Sequence, residues 1–341
     1  MIQNNSQLEA KYPKASLIIP NLNGKELLRE CLISLLNLDY PDYEIIVSDG
    51  GSTDGTCQMI QKEFKNVILI QEEGAGIGRA NNLGMNAANG EIIAFDLNND
   101  EVFKQDWIKK LVEVLLSSHE IGVVGGSRIV YGTRNIVDEG GYRLNFLCLA
   151  KNNHGLILEN LSKDPQIVDF VGIPVFRRSL IDKIGMCDEE YHNYFEDSDF
   201  CIRAKNAGFK IMWVPEAISY HRRHSTIPSH QKNLSYIITR NKLRFIIKHF
   251  SIKLLFPALI FQVIMFPLLK IIYSIYFSTI PIFQSNRNMS LLYVDDVSSY
   301  IMGVFKALWW NFKYLTSSFK IRYETQRIIS RTRGRMRTRI N

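Results

Sequence analysis

Residues 16–56 read SLIIPNLNGKELLRECLISLLNLDYPDYEIIVSDGGSTDGT, and this stretch decides the fold. A short apolar run, Leu17-Ile18-Ile19, ends in a polar loop, Pro20-Asn21-Leu22-Asn23-Gly24. A helix opens near Gly24, because Leu28, Cys31, Leu32, Leu35 and Leu36 form one apolar stripe at helical spacing. A second apolar run, Glu44 to Val47, leads into Ser48-Asp49-Gly50-Gly51-Ser52-Thr53-Asp54-Gly55. The alternation continues with strand-like runs at Val67 to Ile70, Glu91 to Phe95 and Ile121 to Val124, and with a helical stripe of Trp107, Leu111, Val114 and Leu115. Alternating β and α segments predict an α/β fold with a doubly wound, mostly parallel sheet. Such sheets bind ligands beyond the carboxyl ends of their strands, so the loops after those strands are where chemistry is sought.

Outward from this core the pattern changes. From Ser127 to Gln166 the periodicity fades, broken by Gly132, Gly140, Gly141 and Gly155, and an irregular, partly mobile insert is expected. Regular structure returns with Ile167 to Phe176, a helix from Asp197 to Ala207 stopped by Gly208, and a strand from Phe209 to Val214. Residues Leu254 to Phe283 are overwhelmingly apolar, interrupted by Pro257, Pro267, Lys270 and Pro281, and a second amphipathic stretch runs from Tyr300 to Leu315. The expected organisation is an extension (1–15), an α/β domain (16–235), a helical membrane-associating region (236–320) and an arginine-rich tail (321–341).

Length and composition fit this plan. The 341 residues suggest about two structural units. With 46% hydrophobic and 22% charged residues the chain is neither disordered nor collagen-like. Most of the formal charge of +7 lies after Ile321, where seven arginines face a single acid, Glu324. The body is nearly neutral, which argues against a nucleic-acid partner. Five cysteines, odd in number and without a C-x-x-C pair, argue against a disulfide framework or thiolate zinc site and favour a reducing compartment. Met1 to Pro13 is polar and shows no secretory signal, so the domain is expected in the cytosol.

Each polar loop is a weak signal alone. Asp-Gly-Gly-Ser is commonly just a turn. Asp96-Leu97-Asn98-Asn99-Asp100 can set Asn98 and Asp100 toward one divalent ion, and oxygen ligands of this kind suit Mg²⁺ or Mn²⁺. Gly74-Ala75-Gly76-Ile77-Gly78 fails as a dinucleotide fingerprint, because its third glycine would have to replace Arg79.

In order, SLIIPNLNGKELLRECLISLLN, YEIIVSDGGSTDGT, GIGRANNLGMNAANGEIIAFDLNND and NYFEDSDFCIRAKNAGFKIMWVPEAISYH together resemble the family 2 glycosyltransferases over Ser16 to about His224. Asn-x-Asp in place of Asp-x-Asp looks like the rhamnosyltransferase-like branch. The resemblance implies a GT-A fold, a nucleotide-diphosphate sugar donor, a divalent cation and inversion at the anomeric carbon. It implies that Pro20 and Asn21 line the nucleotide, that Asp49 accepts a hydrogen bond from the base, and that Asn81 and Asn82 line the donor. It makes Asp100 a metal ligand with Asn98 in the place of the first acid, His221 a third ligand, and Glu196-Asp197 the catalytic pair with Asp197 as base.

This set suits the chemistry. A cation stabilises the diphosphate as its charge develops, and a carboxylate takes the acceptor's proton, worth roughly 10² to 10⁴ in rate. The helix start favours an ionised Asp197 while Glu196 and Asp199 oppose it, so the sign of its shift stays open. Asp199 reads as a structural partner; Asp197 as a cap and His221 as a strand-end histidine are the plainer alternatives. Arg222, Arg223 and His224 read either as a phosphate clamp or as a solvated basic edge.

The expected acceptor is a hydroxyl of a glycan or lipid-linked glycan, in polysaccharide biosynthesis of the cell envelope. Competing readings are a polyprenyl-phosphate acceptor, which needs no base, and a non-catalytic membrane-bound scaffold. Leu254 to Leu269 is an uncharged run just short of a bilayer span. Because a single crossing would carry the arginines outward, against the positive-inside tendency, interfacial or re-entrant anchoring on the cytoplasmic face is expected.

Overall fold

The computed structural model describes residues 12–133, 135–222, 234–278 and 297–337. Arg223, His224, Pro281 and nearly all of the N-terminal extension lie outside these residues. The elements are β1 (Ala15–Asn21), α1 (Lys25–Leu36), β2 (Tyr43–Asp49), α2 (Thr56–Glu63), β3 (Ile68–Gln71), α3 (Ile77–Ala87), β4 (Ile92–Ala94), β5 (Glu101–Phe103), α4 (Trp107–Leu116), β6 (Ile121–Val130), β7 (Val137–Glu139), β8 (Arg143–Leu144), β9 (Ala150–Lys151), β10 (Gln166–Val168), β11 (Val175–Arg177), α5 (Ile181–Ile184), α6 (Glu196–Asn206) and β12 (Lys210–His221). Further helices follow: α7 (Leu234–His249), α8 (Ile252–Ile260), α9 (Phe266–Ser278), α10 (Val297–Lys313) and α11 (Leu315–Arg337).

The main sheet runs β10-β12-β6-β11-β4-β1-β2-β3, with β5 on β12 and β7 on β6. β1 pairs in parallel with β2 and β4, and β2 with β3, so the opening βαβ unit is as the sequence predicts. The centre departs from it: β11 lies antiparallel between β4 and β6. A three-residue strand holds too little periodicity to announce its direction. Apolar faces of α1 and α4 pack on the sheet, where Leu28, Leu32, Leu35, Trp107, Ile108 and Leu111 are buried.

The insert is shorter and more ordered than expected. β6 runs on to Val130, and β7 follows it as a paired strand whose Val137 and Asp138 are buried. α6 ends as expected at Gly208, whose φ of +99° suits a residue without a side chain.

The chain divides into two compact units: residues 1–143, 151–228 and 325–341, and residues 144–150 and 229–324. In the second unit α7 packs on α10, burying Leu243, Phe245, Ile246 and Ala307. A π-helical turn, Phe261–Met265, joins α8 to α9 and immediately precedes Pro267. A proline ring clashes with the carbonyl four residues earlier, and widening the helix relieves that crowding. The arginine-rich segment is corrected at its start: Arg322 is buried and donates to the Ile247 carbonyl at 2.6 Å, so it is a packed residue and not a free tail charge.

Candidate active site

The ends of β1, β2 and the β4 loop are tied together by amides. Asn21, in register with Asp49, donates to Asp49 Oδ2 at 2.8 Å. Asp49 also accepts from Gly51 N (3.0 Å), Ser52 N (2.7 Å) and the Ser52 hydroxyl (2.6 Å). Four donors fill a carboxylate's four acceptor positions. They hold Asp49 below its ordinary value although burial pushes the other way. Asn99 donates to Asn21 Oδ1 (2.7 Å) and to the Asn23 carbonyl (3.1 Å), completing the wall. Pro20 is half-buried just before Asn21.

Asn81 and Asn82 are both buried on α3 but serve different partners. Asn81 exchanges two hydrogen bonds with Asp96, donating to Oδ1 and accepting from the backbone N–H, each at 3.1 Å. Asn82 donates to the Cys187 carbonyl (3.0 Å) and Glu189 (2.8 Å) and accepts from Cys187 N (2.9 Å). Its amide ties α3 to that segment.

Asp100 and His221 come together through strand pairing. β5 runs antiparallel to β12 with Glu101 opposite His221. This leaves the buried Asp100 with Oδ1 3.4 Å from His221 Nε2. The other imidazole nitrogen, Nδ1, lies 2.6 Å from Asp138 Oδ2 on β7. Burial opposes charge on His221, but Asp100 and Asp138 outweigh it and push its pKa up to about 10. Asn98 is half-buried, and its carbonyl accepts from Glu101 N at 3.3 Å. Among the described residues no three His, Cys, Asp or Glu side chains gather around a metal position. The set fits a hard cation that draws its other ligands from a diphosphate and water, as Mg²⁺ commonly does.

Below this pair lies a buried ion cluster. Arg128 Nε is 2.7 Å from Glu101 Oε1 and its Nη1 is 2.6 Å from Glu139 Oε2. Burial works against charge on both sides; the two acids keep the guanidinium protonated, and Glu101 is still shifted upward.

Glu196 and Asp197 open α6 after a contorted loop. His192, Tyr194 and Phe195 all have left-handed φ, of 64°, 68° and 80°. Strain of this kind is tolerated where the surroundings over-determine it. Here Asn193 Oδ1 accepts from Ile77 N at 3.2 Å, and the His192 ring lies where a side chain on Gly76 would be, 2.2 Å from that Cβ position. Glu196 is buried, and its Oε2 makes no hydrogen bond. Burial first, then Asp96 and Asp197, raise it well above the carboxylate range. Asp197 accepts from Ser198 N (2.5 Å) and the Ser198 hydroxyl (3.0 Å), yet burial and Asp96 push it up to about 7. Asp199 is a structural partner, 2.8 Å from Arg203 Nε. Arg222 engages Glu30 and stacks its guanidinium 4.1 Å from the Tyr131 ring centroid.

Sequence reasoning missed Asp96, Asp138, Glu139 and Arg128. Asp96 carried a signal, an acid in an apolar strand end; its φ of 66° and its pairing with Asn81 place it in the electrostatic field of Glu196 and Asp197. Burial raises it to about 6.

The layered sheet and the polar strand ends define an α/β fold of GT-A type. The Glycosyl transferase family 2 model matches residues 16–185. Glycosyltransferase AglE of Haloferax volcanii is 35% identical over 225 residues, 63% of this chain and 68% of that protein. The GalNAc(5)-diNAcBac-PP-undecaprenol beta-1,3-glucosyltransferase of Campylobacter jejuni is 31% identical over 192 residues, 53% of this chain and 57% of that protein. The chain belongs to glycosyl transferase family 2. Among solved structures, the mannosyltransferase PcManGT from Pyrobaculum calidifontis in complex with GDP-Man and Mn²⁺ is similar with a TM-score of 0.53 at 15% identity, covering 91% of this chain and 94% of that one; at that identity the likeness is one of fold. The chain spans about half the length, or less, of several curated relatives it matches.

Proposed function

We propose that the protein is an inverting glycosyltransferase that moves a sugar from a nucleotide-diphosphate donor to a hydroxyl of a glycan or lipid-linked glycan, within the rhamnosyltransferase-like branch and in cell-envelope polysaccharide synthesis. The observation that carries this reading is Asp197, a carboxylate at a helix start whose pKa is pushed up to about 7. A general base is most effective when its pKa lies near the working pH. A phosphate acceptor needs no such base, so the pair supports a hydroxyl. The lipid-linked substrate named for the Campylobacter relative points the same way.

In this mechanism Asn21, Asn99 and Asp49 shape the nucleotide wall beside Pro20, and Asn81 sets Asp96 against the reacting centre. Asp49, already saturated by Asn21 and its own loop, meets a base only by exchanging one of those four bonds. Asp100 and His221, with Asn98, would hold Mg²⁺ or Mn²⁺, which supplies charge stabilisation for the leaving diphosphate. Asp197 takes the hydroxyl proton, with the buried Glu196 beside it as the other member of the pair.

Donor binding with and without metal tests this reading. Asp100→Ala is expected to weaken retention of UDP- or GDP-sugars only when Mn²⁺ is present; equal retention with Mn²⁺ and with chelator, in wild type and variant alike, overturns it. Asn98→Asp is expected to tighten Mn²⁺ binding, read by titration calorimetry, because it restores a charged oxygen ligand.

We also read the second unit as an interfacial anchor on the cytosolic leaflet. Ile252, Phe256, Ile260, Ile264, Leu268 and Ile272 recur every fourth residue and are all exposed. The helical run Ile252–Ile272 is long and apolar enough to cross a membrane by length and composition, and little of it is buried. On α10, Met302, Phe305, Trp309 and Phe312 are exposed as well. Continuous apolar faces of this kind suit a lipid surface. The full chain is expected to float with anionic vesicles, and a chain cut before Leu234 to stay in solution; flotation of the cut chain overturns the anchor. A cut before Ser251 is the poorer choice, because it strips α7 of the α10 face that buries it.

A further inference from the structure

β7 is only three residues long, yet it sends acids in two directions. In its pairing with β6, Arg128 stands opposite Glu139 and Ile129 opposite Val137, with a register shift between them. Asp138 is therefore the extra residue of a β-bulge. Bulges beside active sites commonly re-aim a side chain. Glu139 turns to Arg128, and Asp138 turns to His221, with Oδ2 2.6 Å from Nδ1. Asp138 is 5% exposed and the His221 side chain 17%, so water competes little for this bond. An ionised carboxylate only accepts, so the Nδ1–H of His221 donates to it. That fixes the ring plane and leaves Nε2 on the side of Asp100, 3.4 Å from its Oδ1.

We infer that Asp138 is a positioning residue for the cation site: it fixes the tautomer and orientation of His221 so that Nε2 is presented beside Asp100. The inference rests on the proposed metal-binding role of His221. A histidine that binds metal through one nitrogen characteristically donates its other N–H to a carboxylate or carbonyl, and losing that partner typically lowers metal affinity roughly 10–100-fold. His154 also touches Asp138, with Nδ1 2.8 Å from its backbone carbonyl, but it is largely exposed and faces the carboxylate only at 3.8 Å.

The test is Mn²⁺ binding to the full chain, read from the electron paramagnetic resonance signal of free Mn²⁺, for wild type, Asp138→Asn, His154→Ala and His221→Ala. Asp138→Asn is expected to weaken binding roughly 10–100-fold, His221→Ala at least as much, and His154→Ala to leave it unchanged. If His221→Ala weakens binding and Asp138→Asn does not, the positioning role is overturned while the metal site stands. If His221→Ala changes nothing, the metal site itself fails and the inference with it. A readout on the wild type removes dependence on the folding of any variant: with Mg²⁺ bound, long-range ¹H–¹⁵N spectra are expected to show the His221 proton on Nδ1. A proton on Nε2 overturns the inference.

Discussion

Asp197→Asn is expected to lower sugar transfer by roughly 10² to 10⁴-fold, the usual worth of a positioned general base, while donor binding stays nearly unchanged. The amide keeps the size of the carboxylate and can still accept from Ser198, but it takes no proton. Steady-state transfer and donor titration on the same preparation separate the two effects, and full transfer in the variant overturns the assignment. The wild-type pH profile carries the same information. Burial and Asp96 push Asp197 up to about 7, so the ionised base is scarce below that value and the rate climbs as pH rises through it. The linkage to stability has the opposite sign. Between the ordinary carboxylate value and about 7 the folded chain holds a proton that the unfolded chain releases, so this group's contribution to stability falls as pH rises. The variant should therefore melt higher than wild type at about pH 8 and by a smaller margin at about pH 5.

The second large effect concerns stability. Arg128→Met is expected to destabilise the first unit by about 3–5 kcal/mol, chiefly because it leaves the fully buried Glu101 without its cation, with a smaller share from the partly exposed Glu139. Urea unfolding followed by circular dichroism measures it. Adding Glu101→Gln and Glu139→Gln to Arg128→Met should recover much of the loss, since the penalty comes from unpaired charge more than from a missing attraction. A neutral Arg128→Met would mean that the cluster is solvated.

How far the sequence carried this reading follows from the range of the contacts involved. β1 to β4, α1, α4 and the stop at Gly208 were legible because periodicity and turn chemistry act over a few residues. Asp199 was rightly read as structural, since Arg203 lies one helical turn away. The pairing of Asp138 with His221 spans 83 positions and begins in a glycine-broken segment, where no local pattern points at a partner. Asn81 and Asn82 were legible as a pair but their partners were not, because one step along a helix turns a side chain through about 100° and gives each different company. Arg322 looked like a tail charge because composition does not show which face of α11 is covered. The sign for Asp197 needed its burial and then Asp96, neither of which exists before the chain folds.

The antiparallel β11 also bears on the order in which the chain assembles. β4 and β6 share no hydrogen bonds; they meet only through Val175–Arg177, which pairs with residues about eighty positions earlier in β4. As the chain leaves the ribosome, β1 to β4 with α1 to α3 can close locally, whereas β6 must wait for a late strand to bridge it to them. Until β11 arrives, two strand edges stand open in the middle of the molecule, and such edges invite pairing with other chains. The yield of folded chain is thus expected to fall as nascent chains become more concentrated, because the open edges can then meet one another before β11 arrives.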